Sequence, residues 1–164
     1  VTGDSGVRIE AARASDTPVI HRMLKALVDY QRLSHEFTVT EAQLKEAFFG
    51  PRPAAEVVLG YAGAEPVGFA IYFPTFSSGS GGRGLFLEDL YVEPQWRGRG
   101  FGKKLLAHVC RVAAERGDGG VSWAVIRWND TAIRFYRSLG AEHVEDALPY
   151  RLTGDALARL VAEG

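Results

Sequence analysis

Arg97-Gly98-Arg99-Gly100-Phe101-Gly102 stands between an apolar, strand-like run at residues 85–92 and an amphipathic, helix-like run at residues 103–116. A glycine-rich turn at a helix start gathers backbone N–H groups and the positive end of the helix dipole at one point, which suits a pyrophosphate. Spacing decides which phosphate-binding device this is. A Walker loop would need a glycine where Arg97 stands and a hydroxyl where Lys104 stands. A dinucleotide fingerprint would follow its strand directly, whereas Glu93-Pro94-Gln95-Trp96 intervenes here. The hexad does satisfy Arg/Gln-x-x-Gly-x-Gly/Ala, through Arg97, Gly100 and Gly102.

Outward from the hexad, the pattern alternates strands and helices. Towards the N-terminus, residues 7–12 read as a strand, and Ser15 or Asp16 caps a helix carrying Ile20, Leu24, Leu27 and Val28 at helical spacing. Thr40 with Gln43 is a capping box that opens a second helix, ended by Gly50-Pro51-Arg52-Pro53. Residues 57–61 and 67–73 form a hairpin pair, and the Ser/Gly-rich stretch at 77–82 is a loop before the strand at 85–92. Beyond the hexad's helix come a strand at 121–126, a short helix at 131–139 closed by Gly140, a last strand at 147–152 and a terminal helix. Helices interrupting a mixed sheet predict an α/β (α+β layered) domain.

The chain has 164 residues, enough for one core without metal or disulfides, so residues 7–164 are expected to form a single domain. Residues 1–6 are expected as a disordered or cloning-derived N-terminus. Cys110 is the sole cysteine; its spacing from Leu106 and Ala113 predicts a small core thiol, and a reducing cytoplasm is expected. The histidines His21, His35, His108 and His143 lack ligand spacing, so no metal is expected. A net charge of -1 argues against nucleic acid or an anionic membrane as partner, and no apolar run is long enough to cross a bilayer. A small anionic ligand at Arg97, Arg99, Lys103 and Lys104 fits better.

Asn129 opens the short helix, where its side chain can cap the first turn. Tyr136 lies seven residues on, near the same helical face; alone, such a tyrosine reads as packing. Glu88 and Asp89 are adjacent carboxylates in the apolar run Leu85-Phe86-Leu87-Glu88-Asp89-Leu90-Tyr91-Val92. Neighbours on a strand face opposite sides unless the strand is bulged, and burying either carboxylate unpaired is costly. A structural ion pair with an arginine is one reading of them, and a cation-binding site is the other.

The hexad, together with Trp128-Asn129-Asp130-Thr131-Ala132-Ile133-Arg134-Phe135-Tyr136-Arg137-Ser138-Leu139-Gly140-Ala141, resembles the GNAT superfamily of acyl-CoA-dependent N-acetyltransferases. Leu87-Glu88-Asp89-Leu90-Tyr91-Val92 looks like its diamine (spermidine/spermine) and thialysine N-acetyltransferase branch. The resemblance implies a mixed central sheet flanked by helices and splayed open between the strands at 85–92 and 121–126. It implies acetyl-CoA as cosubstrate, with N–H groups of Gly98, Arg99, Gly100, Phe101, Gly102 and Lys103 beside Arg97 on its diphosphate. Leu90, Tyr91 and Val92 would hold the pantetheine arm like an added strand, with one N–H polarising the acetyl carbonyl. Asn129 would contact the same arm.

The family role implied for Tyr136 is general acid to the departing thiolate. A phenol with an unperturbed pKa of about 10 stays protonated at neutral pH while a thiol, at about 8.5, is the stronger acid. Glu88, through a water, would deprotonate an ammonium substrate that Asp89 attracts and Tyr30 contacts. Direct attack in a ternary complex is expected, because no nucleophile is evident. The branch also implies a homodimer.

Three positions depart from the polyamine enzymes: Gln31 stands where they carry an acidic residue, residues 147–149 lack their late carboxylate, and the Ser/Gly loop replaces an aromatic-containing turn. A lysine-like or thialysine-like amino acid is therefore as plausible as a diamine or polyamine. The competing expectations are a noncatalytic acyl-CoA-binding regulatory domain and an acetyltransferase for protein N-termini or antibiotic amines.

Overall fold

The computed structural model describes residues 7–145 and 148–163. They fall into two compact units, divided along the chain between Ile126 and Arg127. The first unit contains β1 (Val7–Ala11), α1 (Thr17–Tyr30), α2 (Glu41–Phe49), β2 (Glu56–Ala62), β3 (Glu65–Ser77), β4 (Gly82–Val92), α3 (Phe101–Glu115) and β5 (Val121–Trp123). The second contains α4 (Asp130–Ser138) and α5 (Gly154–Glu163).

The sheet runs in sequence order from β1 to β5. Its first four strands are antiparallel, and β5 joins β4 in parallel, so the expected mixed α/β layering is present. One face carries α1: Ile20, Met23 and Leu27 pack with Val57, Leu59, Phe69, Ile71 and Tyr91. On the other face lies α3, whose Leu105 side chain approaches Gly60 at 3.5 Å and Gly68 at 3.2 Å from where a Cβ would stand. A Cβ on Gly68 would also meet the Tyr91 carbonyl oxygen at 2.4 Å, so only glycine allows β3 and β4 to pair this closely. Thr40 and Gln43 form the expected capping box: the Gln43 N–H donates to Thr40 Oγ1 at 3.2 Å, and the Thr40 N–H to Gln43 Oε1 at 2.8 Å.

Several elements differ from the pattern reading. The hairpin of β3 and β4 is longer, because Phe73 and Phe86 stack across it with ring centroids 5.3 Å apart and carry the ladder towards its tip. Strand β5 ends at Trp123 rather than at Ile126. No strand forms over Leu148–Leu152, and Ala147 lies outside the described residues, as do residues 1–6. Alternation of apolar and polar residues there supplies a strand pattern, but a strand needs a neighbouring strand for its backbone groups, and among the described residues that segment pairs with none. Cys110 is exposed, not a core thiol: α3 buries Phe101, Leu105, Leu106, Val109 and Ala113, and position 110 falls outside that stripe.

Candidate active site

The first unit builds its site from the end of β4. Ile71 pairs with Asp89 but Tyr72 pairs with Leu87, so Glu88 is an extra residue without a cross-strand partner. This β-bulge lifts the constraint that adjacent carboxylates face opposite sides. It also re-aims the strand: Leu87 shares a face with Tyr72, whereas Asp89 and Tyr91 share the α1 face with Ile71 and Phe69. Glu88 is exposed and Asp89 half-buried. Burial, with the negative charge of Glu88 beside it, pushes the Asp89 carboxyl up to about 7.

Past the bulge, β4 pairs with no strand on its β5 side among the described residues. The β5 ladder reaches only from Leu85 to Leu87. Glu93 donates its N–H to the Val67 carbonyl at 2.9 Å, so alternation turns the backbone groups of Tyr91 and Glu93 towards β3 and those of Leu90 and Val92 away from it. Leu90 therefore presents its N–H and C=O, and Val92 its N–H, on the side where β5 has stopped, while the Val92 carbonyl accepts from Arg97 Nε at 2.8 Å. An extended amide-containing chain could pair there as an added strand.

Beyond the edge lies the glycine turn. Gly98 and Gly100 adopt positive φ of 73° and 84°, and Gly100 is the N-cap of α3. Among the described residues, none of the backbone N–H groups from Gly98 to Lys103 donates to another backbone carbonyl. These unspent donors, with the helix dipole behind them, form a nest of the kind that suits a phosphate group. The Arg97 N–H is already used, bonding the Pro94 carbonyl at 3.3 Å. The Arg99 guanidinium lies over the Trp96 ring at 4.9 Å from its centroid.

A buried network fixes the strand exit. Glu93 accepts from Arg22 Nη1 at 2.5 Å and from the Tyr91 hydroxyl at 3.0 Å. Burial and the Glu93 carboxylate push the Tyr91 phenol up to about 12. Pattern reading missed Arg22 and Glu93 as site residues. Their signal was present: positions 89, 91 and 93 alternate onto the core face, and an acid there demands a cation from the facing helix.

The Arg97 side chain turns back from the nest. Its Nε donates to the Val92 carbonyl at 2.8 Å, and its guanidinium lies over Tyr30 at 5.0 Å and Tyr91 at 5.6 Å from the ring centroids. Tyr30, the last residue of α1, is thus brought to the start of the glycine turn by a cation–π contact.

The second unit holds the other two expected residues on one helix. Asn129 Oδ1 accepts from the Ala132 N–H at 3.1 Å, capping α4 as expected. Tyr136 lies two turns along α4, with its ring centroid 5.2 Å from that of Phe135. Among the described residues no cluster of metal-ligating side chains occurs, and no helix is long and apolar enough to cross a membrane.

A family model described as Acetyltransferase (GNAT) family matches residues 20–141, across both units. The chain belongs to this family. It is an acetyltransferase, and the family's usual acetyl donor is acetyl-CoA. The sequence is similar, at 34% identity, to the thialysine N-epsilon-acetyltransferase of Mus musculus, with 95% of this chain and 98% of that protein covered. It is similar at 29% identity to the L-ornithine N5-acetyltransferase NATA1 of Arabidopsis thaliana, covering 92% of this chain and 86% of that one. Among solved structures, an integron cassette protein from the V. cholerae mobile metagenome superposes with a TM-score of 0.79 at 23% identity, over 94% of this chain and 97% of that one. An aminoglycoside acetyltransferase from a soil metagenomic sample superposes with a TM-score of 0.75 at 21% identity, over 92% and 99%. These two structures share the acetyltransferase's fold.

Proposed function

We propose that this acetyltransferase, acting as one catalytic domain over residues 7–164, moves an acetyl group from acetyl-CoA to a primary amine of a small cationic substrate. Diamines, polyamines and lysine-like or thialysine-like amino acids form the candidate class. The observation that carries this reading is the β4 bulge, which sets two carboxylates at the head of a strand edge that pairs with no strand on its β5 side among the described residues and ends in an N–H-lined turn. Similarity to the thialysine and ornithine acetyltransferases supports the amine class.

Coenzyme A supplies the activated acetyl thioester. Gly98 to Lys103 bind the diphosphate, and Leu90, Tyr91 and Val92 orient the pantetheine arm along the edge of β4, with Asn129 contacting the same arm. An edge N–H donates to the acetyl oxygen as negative charge grows there.

The two carboxylates exchange the roles expected from sequence. Asp89, held near neutrality, receives the proton of the substrate ammonium, because a base near the working pH combines availability with driving force. Glu88, exposed, attracts the cation. The freed amine attacks in a ternary complex; its nitrogen forms the C–N bond and releases its second proton to solvent, the C–S bond breaks, and Tyr136 donates a proton to the departing sulfur and regains one from solvent. Orientation of the reactants supplies much of the acceleration. A homodimer is part of the reading, by resemblance to the branch.

The test is thiol release from acetyl-CoA across a panel of amines, with acetylated products identified by mass spectrometry. Acetylation of small diamines or diamino acids is expected. Tight acetyl-CoA binding without any acetylated product would favour a regulatory binding domain, and acetylation confined to peptide N-termini or aminoglycosides would replace the substrate class.

A further inference from the structure

We infer that Phe73 and Phe86 form the floor on which the carbon chain of the acceptor lies, so that the enzyme selects its substrate by the unbranched apolar segment next to the reactive amine and needs no second charge. The inference rests on the proposed amine site at Asp89 and adds the surface that reads the rest of the molecule.

Strand register places the two rings. Asp89 pairs with Ile71, and Phe73 stands two residues further along β3, so its side chain shares the face of Ile71 and Asp89. Phe86 pairs with Phe73 across the ladder, and the ring centroids are 5.3 Å apart. The bulge makes this possible: because Glu88 is the extra residue, Phe86 and Asp89 fall on one face although an odd number of positions separates them. The rings lie about 7 Å along the strands from the pair of Ile71 and Asp89.

A chain whose amine sits at Asp89 has one direction to run. Towards the end of β4 the same face carries Phe69, Ile71 and Tyr91, which α1 covers with Ile20, Met23 and Leu27, leaving each no more than 4% exposed. The β5 side of β4 is the place assigned to the pantetheine arm. Towards the turn between β3 and β4, Phe73 and Phe86 lie outside that core cluster and are half-buried. Thr75 and Gly84 follow them on the same face, and Ser122 of β5 pairs with Phe86. None of these residues ionises, so a distal ammonium meets no carboxylate on the floor, whereas methylenes gain by leaving water.

The experiment measures kcat/KM for n-propylamine, n-butylamine, n-pentylamine and n-hexylamine, with putrescine and L-ornithine as comparators that carry further charges, at saturating acetyl-CoA in wild type, F73S, F86S and F73L. In wild type each added methylene is expected to raise kcat/KM roughly twofold, less than for full burial because a floor covers one side of the chain. F73S and F86S should flatten that rise, and F73L, which keeps an apolar surface, should retain most of it. A loss of folded enzyme or of cofactor binding lowers every acceptor alike and leaves the slope in place. A wild-type series that does not rise, or a slope unmoved by both serine variants, would overturn the inference, as would turnover confined to putrescine and ornithine. Absence of acetylation of every amine would instead remove the amine-transfer reading beneath it.

Discussion

Arg22 and Glu93 meet at 2.5 Å, linking the middle of α1 to the residue that leaves β4. Glu93 is buried while the Arg22 side chain is more than half exposed, so the carboxylate bears most of the desolvation and the arginine retains water. The second oxygen of Glu93 satisfies the Tyr91 hydroxyl. Glu93→Ala should leave that buried hydroxyl without an acceptor and destabilise the fold by about 2 kcal/mol. Chemical denaturation of Glu93→Ala and Glu93→Gln checks this; Gln, which retains an acceptor, should lose less.

Asp89 predicts how activity follows pH. With its carboxyl near 7, kcat/KM should fall on the acid side of about that value, as the base becomes protonated. Glu88 raises that pKa by charge, so Glu88→Gln should move the acid limb to lower pH, whereas Asp89→Asn should abolish it. A limb that stays in place in both variants would assign the base elsewhere.

The same residue predicts how stability follows pH. The folded carboxyl titrates near 7 and the unfolded one near 3.8, so between these values the folded state binds more protons. Stability therefore falls as pH rises across that window, and the loss is complete above 7. Relative to wild type, Asp89→Asn should gain stability at pH 8 but not at pH 3, by up to a few kcal/mol, since each pKa unit is worth about 1.4 kcal/mol. Thermal melts at the two pH values measure it.

Gly100 tests the nest. Its φ of 84° lies in the left-handed region, and the space beside it is open, so Gly100→Ala meets backbone strain rather than a clash. A cost of roughly 1–2 kcal/mol is expected, together with weaker acetyl-CoA binding by calorimetry as the N–H groups lose alignment. Replacing Arg99, whose side chain lies on Trp96, should weaken binding less.

Tyr136→Phe tests the acid. If the phenol protonates the departing thiolate, kcat should drop about a hundredfold while acetyl-CoA affinity changes little. Acceptors activated enough to make thiolate departure easy should be affected least. Equal turnover in the variant would remove the role.

Much of this was legible because it is local. The capping box at Thr40, the cap at Asn129 and the left-handed glycines of the hexad each depend on residues within one turn, where side-chain chemistry and backbone sterics act directly. The bulge was not legible. Nothing in Leu87-Glu88-Asp89 says which residue will be skipped; that depends on β3 opposite, where Tyr72 pairs with Leu87 while Ile71 pairs with Asp89. Over the described residues 148–152 the expected strand is absent for the converse reason, since a correct alternation does not supply a partner edge.

The sequence alone determined the alternation of strands and helices, the family and the N–H-lined turn, since periodicity, glycine placement and motif spacing are properties of the chain itself. Only the tertiary structure decided that Asp89 rather than Glu88 is the carboxylate held near neutrality, and that Arg97 looks back to Val92, Tyr30 and Tyr91. Burial and charge proximity are set by what packs against a residue, and those neighbours come from α1 and β3, far away along the chain.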